Sequence, residues 1–270
     1  MKTLKLTLAF LFFAFISFAN VSNSEKEALI ALYNNTNGAE WTKTWDLEAS
    51  VDTWHGVTVI DSKVVSLNLS FNNLQGQIPS EIGQLSNLQV LNLSFNKLKG
   101  NLPEAISSLQ ELYSIQLFLN QLEGEIPNWI GKLANLEFLA LYSNKFSGAI
   151  PESITELKKL KSLELGSNFL TGQIPFDINK LEALKKLSLL DNQLEGNIPE
   201  SIVDLTNLEE LVLSSNKLSG TLPFELSQLS SLKLLMVSDN QLNNDYVTVV
   251  DDSPNKVALF LEDTEVVSKQ

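Results

Sequence analysis

The chain has one histidine and no cysteine, so the residue types that most often carry chemistry are nearly absent. Without a thiol there is no cysteine nucleophile, no thiolate metal site and no disulfide. A Ser-His-Asp triad or a histidine metal site would have to use His55, and most metal sites need several ligands. His55 is therefore read as structural. Acids are plentiful, with 32 Asp and Glu, yet no acidic pair recurs at a marked spacing that two-carboxylate glycoside hydrolysis would use. Asp251-Asp252 and Asp263-Thr264-Glu265 lack the spacing of a calcium loop and read as solvated charge. All 19 basic residues are lysine, so the bidentate arginine fork is missing. A net charge of −13 repels nucleic acid and anionic membranes. The expectation is a protein without catalysis, cofactor or metal.

What the sequence does repeat is asparagine, at Asn72, Asn96, Asn120, Asn144, Asn168, Asn192, Asn216 and Asn240, always 24 residues apart. Glycine follows four residues later, from Gly76 to Gly220, and proline three after each glycine, from Pro79 to Pro223. A period of this length marks a solenoid, in which each unit buries its open faces only by stacking on its neighbours. In Leu139-Ala140-Leu141 apolar residues alternate with an outward one, the mark of a short strand with one buried face. The asparagine that ends the strand can bond the backbone of its own turn and of the next, so that stacked copies form a ladder. The glycine lets the chain turn back where a Cβ would crowd it. The Ile-Pro pair after it favours an extended convex segment.

The outward strand positions form the candidate binding face. Repeats one and two present Ser66, Asn68, Ser70, Val90, Asn92 and Ser94, all small or polar. Repeats three and four present Ser114, Gln116, Phe118, Phe138, Ala140 and Tyr142; repeats five and six present Ser162, Glu164, Gly166, Lys186, Ser188 and Leu190. Phe118, Phe138 and Tyr142 thus fall on neighbouring strands, where solvent-facing rings would make a hot spot for a protein loop or a sugar. The competing reading is that these rings only pack on one another across strands. Gln116, Glu164, Lys186 and Leu190 complete the predicted ligand-binding set.

Residues 1–19 read as a secretory signal peptide: Lys2 and Lys5 form a basic start, Leu6 to Phe18 an apolar run, and Ser17-Phe18-Ala19 a small-x-small cleavage site. Its removal would take two lysines and move the net charge from −13 to −15. Residues 20–63 are expected to cap the array, which occupies 64–243 as eight repeats. In 244–270, Tyr246–Val250 and Lys256–Leu261 read as a capping hairpin followed by an acidic tail.

The pattern LxxLxLxxNxLxGxIPxxI closely resembles the plant-type leucine-rich repeat. The segment Glu27 to Tyr33, then Trp41, then Trp54-His55-Gly56-Val57, is similar to the N-terminal cap of that family. The resemblance implies an α/β solenoid, a curved right-handed superhelix with a parallel concave sheet, a 3-10 or extended convex side and a helical N-cap. Plant members usually bracket the cap motif with cysteines; here Val51, Thr53 and Val59 stand there. The cysteine-free form is similar to secreted repeat proteins of Bacteroidota-type bacteria. The resemblance implies a secreted, monomeric, non-catalytic recognition protein that binds an extracellular protein or polysaccharide. Its rivals are an inhibitor of a secreted polysaccharide-degrading enzyme and a receptor-ectodomain-like signalling or defence protein. Asn34, Asn68 and Asn92 lie in N-x-S/T triplets, which would carry concave-face glycans in a plant and mean nothing in a bacterium.

Overall fold

The computed structural model describes residues 21–243 and the strand Ala258–Phe260. The expected signal peptide, Tyr246–Val250 and the acidic tail lie outside the described residues. The chain is an α/β leucine-rich-repeat solenoid. Short strands Lys63–Asn68, Val90–Asn92, Ser114–Gln116, Phe138–Ala140, Ser162–Glu164, Lys186–Ser188, Glu210–Val212 and Leu234–Met236 stack in parallel as the concave sheet. Register advances by one repeat per strand: Leu67 lies beside Leu91, Leu91 beside Ile115, and Ile115 beside Leu139. The middle residue of each strand points inward and is buried, as Leu139 and Leu163 are. Parallel in-register stacking therefore builds one continuous leucine column per repeat position. Phe146 is the exception among them, a fully buried ring where neighbouring repeats place Leu122 and Leu170.

Short 3-10 turns such as Glu104–Ser108, Asn128–Lys132 and Glu152–Glu156 form the convex side. Each begins after a proline in extended backbone, Pro103, Pro127 and Pro151 in these three, because a fixed φ and a missing N–H suit the first helical turn. Between the ladder and the proline, sequence reasoning saw only a turn. The structure has additional short parallel strands there, including Lys97–Gly100, Gln121–Glu125 and Lys145–Ala149, which form two lateral sheets. The glycine sits within them with a left-handed φ, +81° at Gly124, where a Cβ would stand 2.6 Å from Asn101 Oδ1. A second left-handed position went unseen. The residue before each ladder asparagine has φ between 50° and 57°, from Phe71 to Asp239. Phe, Leu, Ser and Asp occupy it, never a β-branched residue, for which this backbone is a true outlier.

The asparagines form the expected ladder, but they reach toward the preceding repeat, not the following one. Asn144 Oδ1 accepts from Leu122 N at 3.0 Å, and its Nδ2 donates to Leu117 O and to its own turn at Leu141 O, each 3.0 Å. Direction follows from the strand: the side chain leaves the turn on the side already built. Asn72, the first rung, consequently bonds the cap, accepting from Lys43 N at 2.7 Å and donating to Lys43 O at 3.2 Å. Asn240 makes the same set as Asn144, to Leu218 N, Leu213 O and Val237 O. It is half-buried where Asn144 is 7% exposed. Asn144→Ala should cost about 1–3 kcal/mol, the loss expected when a buried N–H is left unpaired. Asn240→Ala should cost less, because water reaches the freed groups. Equal shifts of the urea midpoint at equal slope would contradict this ranking.

The N-terminal helix α1, Asn23–Asn35, is opened by a capping box in which Ser22 and Glu25 bond each other's backbone. Glu25 is 5% exposed, and its other oxygen accepts from Val64 N at 3.0 Å, tying the helix to the first concave strand. In place of a disulfide the cap holds an aromatic stack. Trp45 lies 4.8 Å from Trp41 and 4.7 Å from Trp54, with Tyr33 against Trp41 at 5.3 Å. The three indole N–H groups donate to Thr36, His55 and Asp46 carbonyls, so no polar atom of the stack is buried unpaired. Val57–Ile60 then pairs antiparallel with Lys63–Asn68 and closes the sheet edge.

At the other end, Ala258–Phe260 joins the concave sheet in parallel beside Leu234–Met236, with Leu259 opposite Leu235. These three residues of the expected hairpin's second arm thus add one more parallel strand at the same spacing of 24 residues.

Candidate functional site

Outward side chains of the concave strands come from one position in two, so the strand register alone decides which residues share the surface. Phe118, Phe138, Tyr142, Gln116 and Glu164 converge on one hollow of about 440 Å³, joined by Tyr113, Ser114 and Ser162. Lys186 and Leu190 do not line it. The rings are not equivalent. Phe118 and Tyr142 are half-buried and stack at 4.4 Å with planes 12° apart, whereas Phe138 remains 39% exposed. Cross-strand packing thus holds Phe118 and Tyr142, while Phe138 stays open to solvent.

Two aromatic residues extend this stack and were missed from sequence. Phe71 lies on Phe95 at 3.7 Å, and Phe95 meets Phe118 edge-on at 5.1 Å. Four rings from four successive repeats form one file. Phe71 and Phe95 sit directly before the ladder asparagine, in the left-handed position, which turns their side chains toward the concave rim. The signal was the repeated Ser-Phe-Asn in repeats one and two. Tyr113, the residue before a strand, is 40% exposed and gave no periodic signal.

Beside the rings, Asn68 and Asn92 accept from the hydroxyls of Ser70 and Ser94 at 2.9 and 2.7 Å. The Asn-x-Ser triplets are local hydrogen-bonded turns that hold these strands' outward polar groups in place.

Charge divides the face. Counting the three outward strand positions and the residue before the asparagine, repeats one to four carry no charge. Repeats five to eight carry Glu164, Lys186, Asp191, Glu210 and Asp239. Lys186 Nζ lies 3.0 Å from Glu164 and 3.5 Å from Glu210. Burial works against the Lys186 charge, but the Glu164 hydrogen bond and the charges of Glu164 and Glu210 outweigh it and hold its pKa above the usual lysine value. Burial and the neighbouring Glu164 charge raise the Tyr142 hydroxyl pKa, with Lys186 opposing in part. Flanking the strands, Glu137 pairs with Lys161 at 2.6 Å, and Glu209 pairs with both Lys185 and Lys233.

His55 lies far from these residues in the sequence, within the cap. Its side chain is exposed, and its contribution to the fold is the carbonyl that accepts from Trp45 at 2.8 Å. Burial and then the Lys43 charge lower its pKa below the usual histidine value. Among the described residues no group of three or more His, Asp or Glu side chains could hold a metal ion.

A parallel sheet advancing 24 residues per strand, an asparagine ladder and an aromatic file on the sheet's open face together define a ligand-binding solenoid. The leucine-rich repeat region family matches residues 66–169, and the leucine rich repeat family matches 159–181, 183–205 and 207–229. The chain is a plant-type leucine-rich-repeat protein, similar to receptor ectodomains. It is 39% identical over 83 residues to the leucine-rich repeat receptor protein kinase EMS1 of Arabidopsis thaliana, spanning 30% of this chain and 7% of that one. Among solved structures, the PEPR1–AtPEP1 complex superposes with a TM-score of 0.76 at 36% identity, over 82% of this chain and 32% of the other. A plant ice-binding protein superposes with a TM-score of 0.70 at 28% identity, over 83% and 81% of the two chains. The chain thus spans less than two fifths of the length of the receptors it matches. No helix among the described residues is long and apolar enough to cross a membrane.

Proposed function

We propose that the protein is an extracellular, non-catalytic recognition protein whose concave face binds an extended peptide segment of a protein partner. The observation that carries this reading is the aromatic file Phe71–Phe95–Phe118–Tyr142 running into the hollow beside Phe138. It crosses four repeats, so it suits a ligand laid across the strands. Rings stacked face to face offer their edges to solvent, and ring edges carry partial positive charge that suits peptide carbonyl oxygens. A sugar would need free ring faces, which this packing largely consumes. Receptors similar to this chain, such as RGFR1 in complex with RGF2 and HAESA in complex with IDA, bind peptide hormones, which favours the same class of ligand. Passage through a secretory membrane would be directed by residues 1–19. Phe118, Phe138, Tyr142 and Gln116 would make the central contacts, with Glu164 and Lys186 at the charged edge and Leu190 beyond it.

Ice binding, suggested by the similar plant protein, is disfavoured by charge. The lateral sheets carry Lys97, Lys99, Glu123, Glu125, Lys145, Glu195 and Lys217, and an extended plane matched to a neutral lattice would not. Panning a random nonapeptide library on the immobilised protein tests the proposal. Enrichment of a consensus that competes as free peptide at micromolar concentration is expected. Binding to a glycan array, inhibition of pectinases or thermal hysteresis, without any peptide consensus, would replace the reading by the corresponding rival.

A further inference from the structure

Aromatic side chains and one carboxylate share the hollow: Phe138, Tyr113 and the stacked Phe118 and Tyr142, with Glu164 on the adjoining strand. A ring face attracts a cation placed over it, and the rings that can take one here are Phe138 and Tyr113, which lie outside the stacked file and are 39% and 40% exposed; the neighbouring carboxylate adds a direct partner. The chain already stations an ammonium at this edge, since Lys186 Nζ is 3.0 Å from Glu164 Oε2. Lys186 is doubly served, however, with Glu210 Oε2 at 3.5 Å, and it could release Glu164 without losing a partner. Both side chains of the Lys186–Glu164 pair keep about a third of their surface in water, at 35% and 26%, so the exchange costs little desolvation. Glu164, Lys186 and Glu210 together carry one negative charge in excess. The outward positions as a whole carry four acids against one lysine, in a chain of net charge −13.

We propose that the hollow seats a lysine or arginine side chain of the bound peptide, with Glu164 exchanging Lys186 for the ligand's cation. The cation's attachment to a peptide rests on the function proposed above; the seat itself does not. The uncharged repeats one to three then receive apolar residues of the same segment. This orients the ligand: its apolar part lies toward the cap and its basic residue over repeats four and five. Lys186 acts as an internal competitor that raises the affinity a ligand cation must have.

The seat is tested by NMR titration with phenethylguanidinium and with phenethylurea, a neutral molecule of nearly the same shape. The guanidinium should bind about tenfold more tightly, shifting resonances of Phe138 and Tyr142. Glu164→Gln, which is isosteric, should erase that preference, and Lys186→Gln should enlarge it, because it frees the carboxylate. A merely structural ion pair would leave the two ligands equal in all three proteins. Equal binding, no binding of either molecule, a preference that survives Glu164→Gln, or weaker guanidinium binding in Lys186→Gln would each overturn the proposal. An intact guanidinium preference in a protein that selects no peptide would overturn the peptide reading and leave the seat standing.

Discussion

A chain lacking residues 24–63 should aggregate, where the full chain stays soluble and unfolds cooperatively. The deletion removes α1, the aromatic stack and the antiparallel strand that closes the concave sheet. It uncovers one side of the first coil, where Leu67, Leu69 and Leu74 are fully buried and Ile78 is 4% exposed. At about 25 cal/mol per Å² of apolar surface, opening one coil face loses several kcal/mol and presents a contiguous apolar patch. It also leaves the rest of the first concave strand, residues 64–68, as an unpaired edge, a template for pairing with another copy. Asn72 loses both Lys43 backbone partners. Light scattering coupled to size exclusion, with a urea unfolding curve, decides the matter. A soluble monomer with one cooperative transition would show that residues 24–63 are not a cap.

Simultaneous replacement of Phe118, Phe138 and Tyr142 by alanine should abolish binding of a selected peptide while the solenoid remains folded. Truncating a hot-spot ring commonly costs ~2 kcal/mol or more, so the three together should weaken affinity by a factor of at least several hundred. The stability cost should be smaller. Phe138 is 39% exposed and contributes little to the core. Phe118 and Tyr142 stack on each other, and losing such a pair costs roughly 0.5–1.5 kcal/mol beyond their modest burial. Ser66→Ala, on the first strand, and Ser70→Ala, in the turn after it, serve as controls that should leave affinity nearly unchanged. A fall in stability larger than the fall in binding energy would make the rings structural. Unchanged affinity would move the site to the charged strands around Glu164, Lys186 and Glu210.

The solenoid was legible because its physical requirements recur in phase. A buried amide ladder, a left-handed turn and a leucine column each demand one residue type at one offset, and 24-residue spacing exposes all of them. The expectation of a cap had another source, the resemblance of Glu27 to Tyr33, Trp41 and Trp54-His55-Gly56-Val57 to the family's N-terminal segment, since none of these residues recurs in phase. Geometry that depends on backbone direction was not legible. Nothing in the letters says that Asn144 reaches back to Leu122 instead of forward, or that the residue before it adopts a positive φ. The lateral sheets are two to five residues per strand and most of these strands hold a glycine, which as a residue type argues against a strand. Of the candidate face, Phe118 and Tyr142 could be placed as neighbours from register, but their stacking depends on side-chain rotamers. Phe71 and Phe95 lie one residue beyond the alternating positions, so period-two reasoning passed over them. Near the C-terminus, Lys256–Leu261 reads as the arm of a hairpin, and only spatial pairing shows that Ala258–Phe260 within it continues the parallel sheet.

The concave face of repeats one to five is the surface proposed to bind a peptide. Amide hydrogen exchange of the full chain with and without a library-selected peptide measures this directly. The account predicts added protection in the strands Val90–Asn92, Ser114–Gln116, Phe138–Ala140 and Ser162–Glu164 and in the turns carrying Phe71 and Phe95, with the convex 3-10 turns unchanged. Protection confined to the lateral strands around Lys97–Gly100 and Gln121–Glu125, or to the convex side, would contradict it.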